Sequence, residues 1–309
     1  MMMISNKKII WFAILIATIL LLVVAINILT AQNSKNKPAY IYSYDEIPLV
    51  LSDENTPRAI YNVLAAKSVF VYFAGDKDPE KLNSEIPYVL TLMDSSFEKH
   101  CAIPELCNPV EVLGSYCLGS KVLNRDKNWQ EVQAKIISNP KFAKALQHWR
   151  NYFSKESFNE GDLELLYGYL TAEKECGNAD LLNKKEIAYK VLKTKTDEPN
   201  TTDNLKSLKN KAVVLGNLFD SDLLGIKADS PEIASEIDAS ICKKIKGNPP
   251  EKQLSNLCFM RDYLILRKFC KISPLIEEKQ GLQLKNIILQ RYKSIEDILC
   301  QGGIATLLD

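Results

Sequence analysis

Eight cysteines carry most of the chemistry that residue type and spacing suggest in this chain: Cys101, Cys107, Cys117, Cys176, Cys242, Cys258, Cys270 and Cys300. An even set of this kind predicts disulfide bridges in an oxidising compartment, against the alternative of thiolates holding a metal. His100, Cys101, Cys107 and Cys117 would be the metal ligands. Structural zinc sites, however, use knuckles with about two to four intervening residues, and every gap here is wider. No metal or other cofactor is expected. Four cysteines precede the polar stretch 194–202 and four follow it, which predicts two bridges in each half. In the second half, a helical hairpin turning at 247–250 sets Cys242 opposite Cys258 and leaves Cys270 to pair with Cys300.

Other reactive constellations are sparse. The two histidines, His100 and His148, lie in no G-x-S-x-G or H-E-x-x-H motif, and His148 beside Trp149 reads as a surface or partly packed side chain. Residues 114–121 spell G-S-Y-C-L-G-S-K. They have the glycine pair of a phosphate loop, but the Lys-Ser order is reversed, which misplaces the ammonium and the hydroxyl. Glu156-Ser157 resembles the glutamate-serine start of lytic transglycosylase sites, which would make Glu156 a glycan-cleaving acid. The motif's spacing is short by one residue and its downstream glycine-rich segment is missing, so no catalytic residue is assigned. Glu277-Glu278 reads as a solvated helix charge, and Asn200-Thr201-Thr202 is a glycosylation acceptor only in a eukaryotic host.

The elements that carry these residues are helical. Residues 9–26 hold no charge, and Leu29 extends the apolar run to 9–29. At about 1.5 Å per residue the run reaches about 31 Å, the thickness of a bilayer core. It predicts a transmembrane anchor contacting the lipid bilayer, after a cytoplasmic N-terminus at 1–8 marked by Lys7 and Lys8. A polar stalk is expected at 30–56, where Tyr40, Tyr42 and Tyr44 alternate as an edge strand or an interfacial aromatic group would. Thr56 before Pro57 is a helix start. The run 69–73 (Val-Phe-Val-Tyr-Phe) fits a buried strand as well as a helix end.

Beyond it, apolar residues recur at helical spacing: Phe142, Ala145, Leu146, Trp149 and Phe153, then Leu205, Leu208, Ala212 and Leu215, then Ile233, Ile237, Ile241 and Ile245. Leu257, Cys258, Ile265 and Phe269 extend the pattern, and Ile288, Ile295 and Ile298 follow. The expected fold is all-α, a multi-helix array or irregular bundle in two lobes at 57–196 and 203–309. Leu163, Leu166, Gly168 and Tyr169 before Cys176-Gly177 resemble a tetratricopeptide helix pair, but no second copy follows at the period of about 34 residues.

Two of the 39 basic residues precede the anchor, so the remainder carries one more acidic than basic side chain. That balance argues against a nucleic-acid partner. The expected function is protein–protein interaction or cell-envelope complex assembly by a single-pass membrane protein whose C-terminal domain is extracytoplasmic. The alternatives are an envelope enzyme acting on glycan or peptide, and a membrane-tethered adaptor facing the cytoplasm.

Overall fold

A computed structural model describes residues 44–47, 55–73, 79–124, 128–155, 157–177, 183–197, 199, 201–219, 231–246, 256–272 and 294–308. These residues form eleven α-helices and no strand. None of the helices is long and apolar enough to cross a membrane, and the anchor predicted at 9–29 lies outside the described residues.

Helix α1 (Pro57–Phe73) begins as its sequence predicts, with Thr56 Oγ1 accepting a hydrogen bond from the Ala59 amide at 3.3 Å. The ambiguous run 69–73 is its last turn and not a strand. Val69, Phe70 and Val71 are all buried, because α2 (Pro79–His100) covers one side of α1 and α11 (Ile295–Leu308) another. Cover on two sides buries a wide arc of α1, here three consecutive residues while Tyr72 stays 64% exposed, and that makes the run look strand-like in sequence.

After α2 the chain enters a π turn at Pro109–Gly114, capped by Asn108, whose side chain accepts from the amides of Val110 and Glu111. The turn runs directly into α3 (Ser115–Leu123), and α4 (Trp129–Ile137), α5 (Pro140–Phe153) and α6 (Glu160–Glu175) follow. The second half holds α7 (Lys184–Lys193), α8 (Thr202–Leu218), α9 (Pro231–Ser240) and α10 (Leu257–Phe269) before α11. The predicted stripes face the core, with Phe142, Ala145, Leu146, Trp149 and Phe153 all buried on α5 and Leu205, Leu208, Ala212 and Leu215 on α8.

Helices α1, α3, α6, α8, α10 and α11 touch in sequence and close on themselves, because α11 packs back against α1. Around this circuit α2 covers α1, α5 covers α6 and α7 covers α8. Contacts therefore join helices on both sides of 194–202, and Ile41–Asp309 forms one compact unit. The chain through 194–196 is fastened by lysines. Lys211 Nζ donates to the carbonyls of Leu192 and Thr194 at 2.9 and 2.8 Å, and Lys244 Nζ donates to Thr196 at 2.6 Å. Residues 44–47, within the predicted stalk, also pack on this unit. Tyr44 is buried with the Lys67 ammonium 4.3 Å from its ring centroid, and Lys67 is in turn paired with Glu85. Tyr40 and Tyr42 lie outside the described residues.

All eight cysteines pair, two bridges to each half: Cys101 with Cys107, Cys117 with Cys176, Cys242 with Cys270, and Cys258 with Cys300. The pairing expected in the second half, Cys242 with Cys258 and Cys270 with Cys300, is wrong. It assumed one helix continuing to 246 and folding back along its successor. Instead α9 stops at Ser240, Ile241 leaves helical geometry at φ −123° and ψ −61°, and Cys242–Ile245 forms a 3-10 turn. α9 packs on α7, while the 3-10 turn packs on α10. Cys258 and Cys270 lie at opposite ends of α10, about 18 Å apart at helical rise. Cys242 meets the far end, and Cys258 meets α11.

Candidate functional site

A cleft of about 540 Å³ opens inside the circuit of helices, lined by residues of α1, the π turn, α3, α6, α8 and α10. One wall is shaped by close backbone approach. A methyl group on Gly114 would lie 2.5 Å from the Gly168 carbonyl oxygen, and one on Gly168 would lie 2.5 Å from the Pro109 carbonyl. Only hydrogen fits at either position, so the π turn and α6 cross with nothing between them. Cys117–Cys176, with Cα atoms 5.8 Å apart, staples α3 to the end of α6 beside this crossing.

Charged lining residues and their partners form two clusters that differ in depth. Nearer the solvent, Arg58 Nη1 lies 2.7 Å from Glu111 Oε1 and 3.5 Å from Glu164 Oε1. Lys206 Nζ lies 3.1 Å from Glu164 Oε2, and the side chains of Arg58, Glu164 and Lys206 are 36%, 33% and 47% exposed. Thr56 Oγ1 donates to the other Glu111 oxygen at 3.1 Å, so the residue that caps α1 also steadies this cluster. Deeper, Asp262 accepts from Arg261 Nη2 at 2.7 Å and from Lys209 Nζ at 3.2 Å, and the three side chains are 6%, 23% and 17% exposed.

This environment sets the charge states. Burial pushes the Glu164 carboxyl up, but the Lys206 and Arg58 charges outweigh it and hold the group below its ordinary range. Burial pulls the Lys209 ammonium down, Asp262 opposes that pull, and the Arg261 charge adds to it. Tyr61, Tyr167, Val213 and Ile265 add apolar and aromatic surface to the lining, and Asn62, Thr171, Asn210 and Asn217 add polar groups.

The residues singled out in the sequence lie elsewhere. The cysteines proposed as metal ligands with His100 are held in disulfides, and among the described residues no three His, Cys, Asp or Glu side chains group as a metal site would require. His148 packs edge-on against the Trp149 ring, with Nδ1 3.8 Å from Glu105. Glu156, Asn200, Glu277 and Glu278 lie outside the described residues. The 114–121 segment is the end of the π turn and the start of α3, not a phosphate loop, yet Gly114, Ser115 and Leu118 from it line the cleft. The charged lining residues went unnoticed in the sequence. A local trace was present on α8, where Lys206, Asn210, Val213 and Asn217 repeat at helical spacing on the side away from Leu205, Leu208 and Ala212.

These features define an all-α, disulfide-braced domain built around a charged cleft. Comparison of the chain with protein-family models, with curated proteins and with solved structures finds no match.

Proposed function

We propose that this chain is a single-pass membrane protein whose extracytoplasmic domain acts as a binding module, engaging its ligand or protein partner through the cleft enclosed by the helices. The observation that carries the reading is the pairing of all eight cysteines in four bridges, six of the eight buried in the domain they brace. A domain that needs its cysteines bridged is at home where thiols are oxidised. The uncharged run at 9–26 supplies the tether. The cleft supports binding by its size, since ligand pockets commonly run from about 300 to 1,000 Å³.

The test is thiol counting in intact cells. Alkylation without reduction is expected to leave the mass of the full chain unchanged, and alkylation after reduction to add eight labels. Eight labels without reduction would place the domain in a reducing compartment and favour the cytoplasm-facing adaptor instead. The envelope-enzyme reading draws on one observation, the Lys209 ammonium lowered by burial inside the cleft. It would require turnover of a glycan or peptide that Lys209→Met abolishes.

A further inference from the structure

Charge in the cleft does not cancel. Arg58, Lys206, Lys209 and Arg261 line it, and the carboxylates that pair with them are Glu111, Glu164 and Asp262. Two of those carboxylates are each shared between two cations, Glu164 between Arg58 and Lys206 and Asp262 between Lys209 and Arg261. An ammonium has three donors and a guanidinium five, so these pairings leave donors over at every cation. The surplus amounts to one positive charge, held where the side chains are between 17% and 47% exposed. At such depth a charge is less screened than at an open surface, and an incoming anion gains more from it.

From this arrangement we infer that the cleft binds a small organic monoanion, its carboxylate or singly charged phosphate ester head set between Lys206 and Lys209 and its body against the aromatic and apolar lining. Lys206 and Lys209 stand three residues apart on α8, so their side chains lie on one face of that helix and can converge on a single head group. Tyr61, Tyr167, Val213 and Ile265 give the body a surface that a hydrated inorganic ion would not use. The paired carboxylates orient the cations before the ligand arrives, which lowers the ordering cost of binding.

The inference rests on reading the domain as a binding module, but it fails separately. Reduced cysteines in cells would overturn the compartment and leave anion binding intact, whereas a cleft indifferent to anions would leave the compartment intact.

The experiment is calorimetric titration of the full chain in detergent with glucuronate, benzoate and dimethyl phosphate, alongside the uncharged glucose and benzamide. Saturable binding of at least one anion is expected, its neutral counterpart binding at least about tenfold more weakly. Lys206→Gln and Lys209→Gln should each weaken that binding about tenfold, while Lys243→Gln, on a side chain 63% exposed outside the cleft lining, should leave it unchanged. Lys206 is 47% exposed, so its variant tests the inference even if the deeper Lys209 variant melts early. A carboxylate or a phosphate ester binding alone identifies which head group the cleft takes. Absence of binding by all three anions to about 10 mM overturns the inference. Equal binding of the neutral compounds, or binding indifferent to both lysine variants, also overturns it.

Discussion

Where the π turn crosses α6, the cleft is bounded by backbone against backbone, with glycine hydrogens at Gly114 and Gly168 filling the gap. Where α8 faces α10, it is bounded by ion pairs, Lys209 and Arg261 converging on Asp262. The first wall is fixed by volume, because an added methyl group meets main-chain atoms that cannot step aside. The second is fixed by charge, and long side chains on α8 can shift by an ångström without unpacking a helix. The fold is specified on one side of the cleft and a ligand would be met on the other. That division lets the contact surface change while the architecture stays put.

The comparison breaks most visibly at the staple of the volume-fixed wall. Cys117 and Cys176 are 59 residues apart in sequence, whereas Cys101 and Cys107 are six apart. Chain-entropy arguments give about 4 kcal/mol for the long loop and about 2 kcal/mol for the short one. Urea unfolding of the Cys117→Ala/Cys176→Ala variant should therefore show roughly twice the loss seen for Cys101→Ala/Cys107→Ala. Equal losses would mean that the staple does not hold this wall.

Next in size, Gly168→Ala should cost about 3 kcal/mol in the same measurement, since its methyl would meet the Pro109 carbonyl oxygen and the Val110 amide at 2.5 Å. A loss under about 1 kcal/mol would show that the crossing can open, and the contrast between the walls would fall.

The smallest effect belongs to α8, the helix that carries the charged wall. Burial, with the Lys244 charge adding, pushes the Lys211 ammonium down to about 8. The unfolded chain keeps that proton to about pH 10.4, so between these values the unfolded state binds more protons and stability rises with pH. Below pH 8 both states are charged and the penalty of burying the ammonium is fully present. Relative to Lys211→Met, the native chain should gain about 2 kcal/mol as pH rises from 8 toward 10.4, measured as a difference between denaturation midpoints. A flat difference would mean that Lys211 stays protonated, its charge accommodated by the carbonyls of Leu192 and Thr194.

The helices were legible because their apolar residues recur on single faces, as on α5 and α8. The 69–73 run was not, because cover on two sides of α1 buries three consecutive residues and hides the periodicity that distinguishes a helix from a strand. The second-half disulfides were misread for a topological reason: their pairing follows from which helices become neighbours, and the break at Ile241 that redirects Cys242 toward Cys270 has no strong local signature. The cleft was illegible for a related reason. Its ion pairs join residues from 58 to 262, and no window of sequence holds more than two or three of them. Of the alternating tyrosines before α1, Tyr44 is buried in the core beneath Lys67, an environment that neither a strand edge nor a bilayer interface predicts.

The packing of α11 on α1 also imposes an order in time. A methyl group on Gly302 would sit 2.6 Å from the Val69 side chain, so the two helices meet closely, although more than 200 residues of chain separate them. The ribosome delivers α1 more than 200 residues before α11. Until α11 emerges, the buried face of α1 has no cover on that side, and Cys300 is not yet present to pair with Cys258. A nascent chain would therefore reach its native state only after α11 has emerged, and until then a chaperone able to shield one apolar helix face would find its binding site on α1.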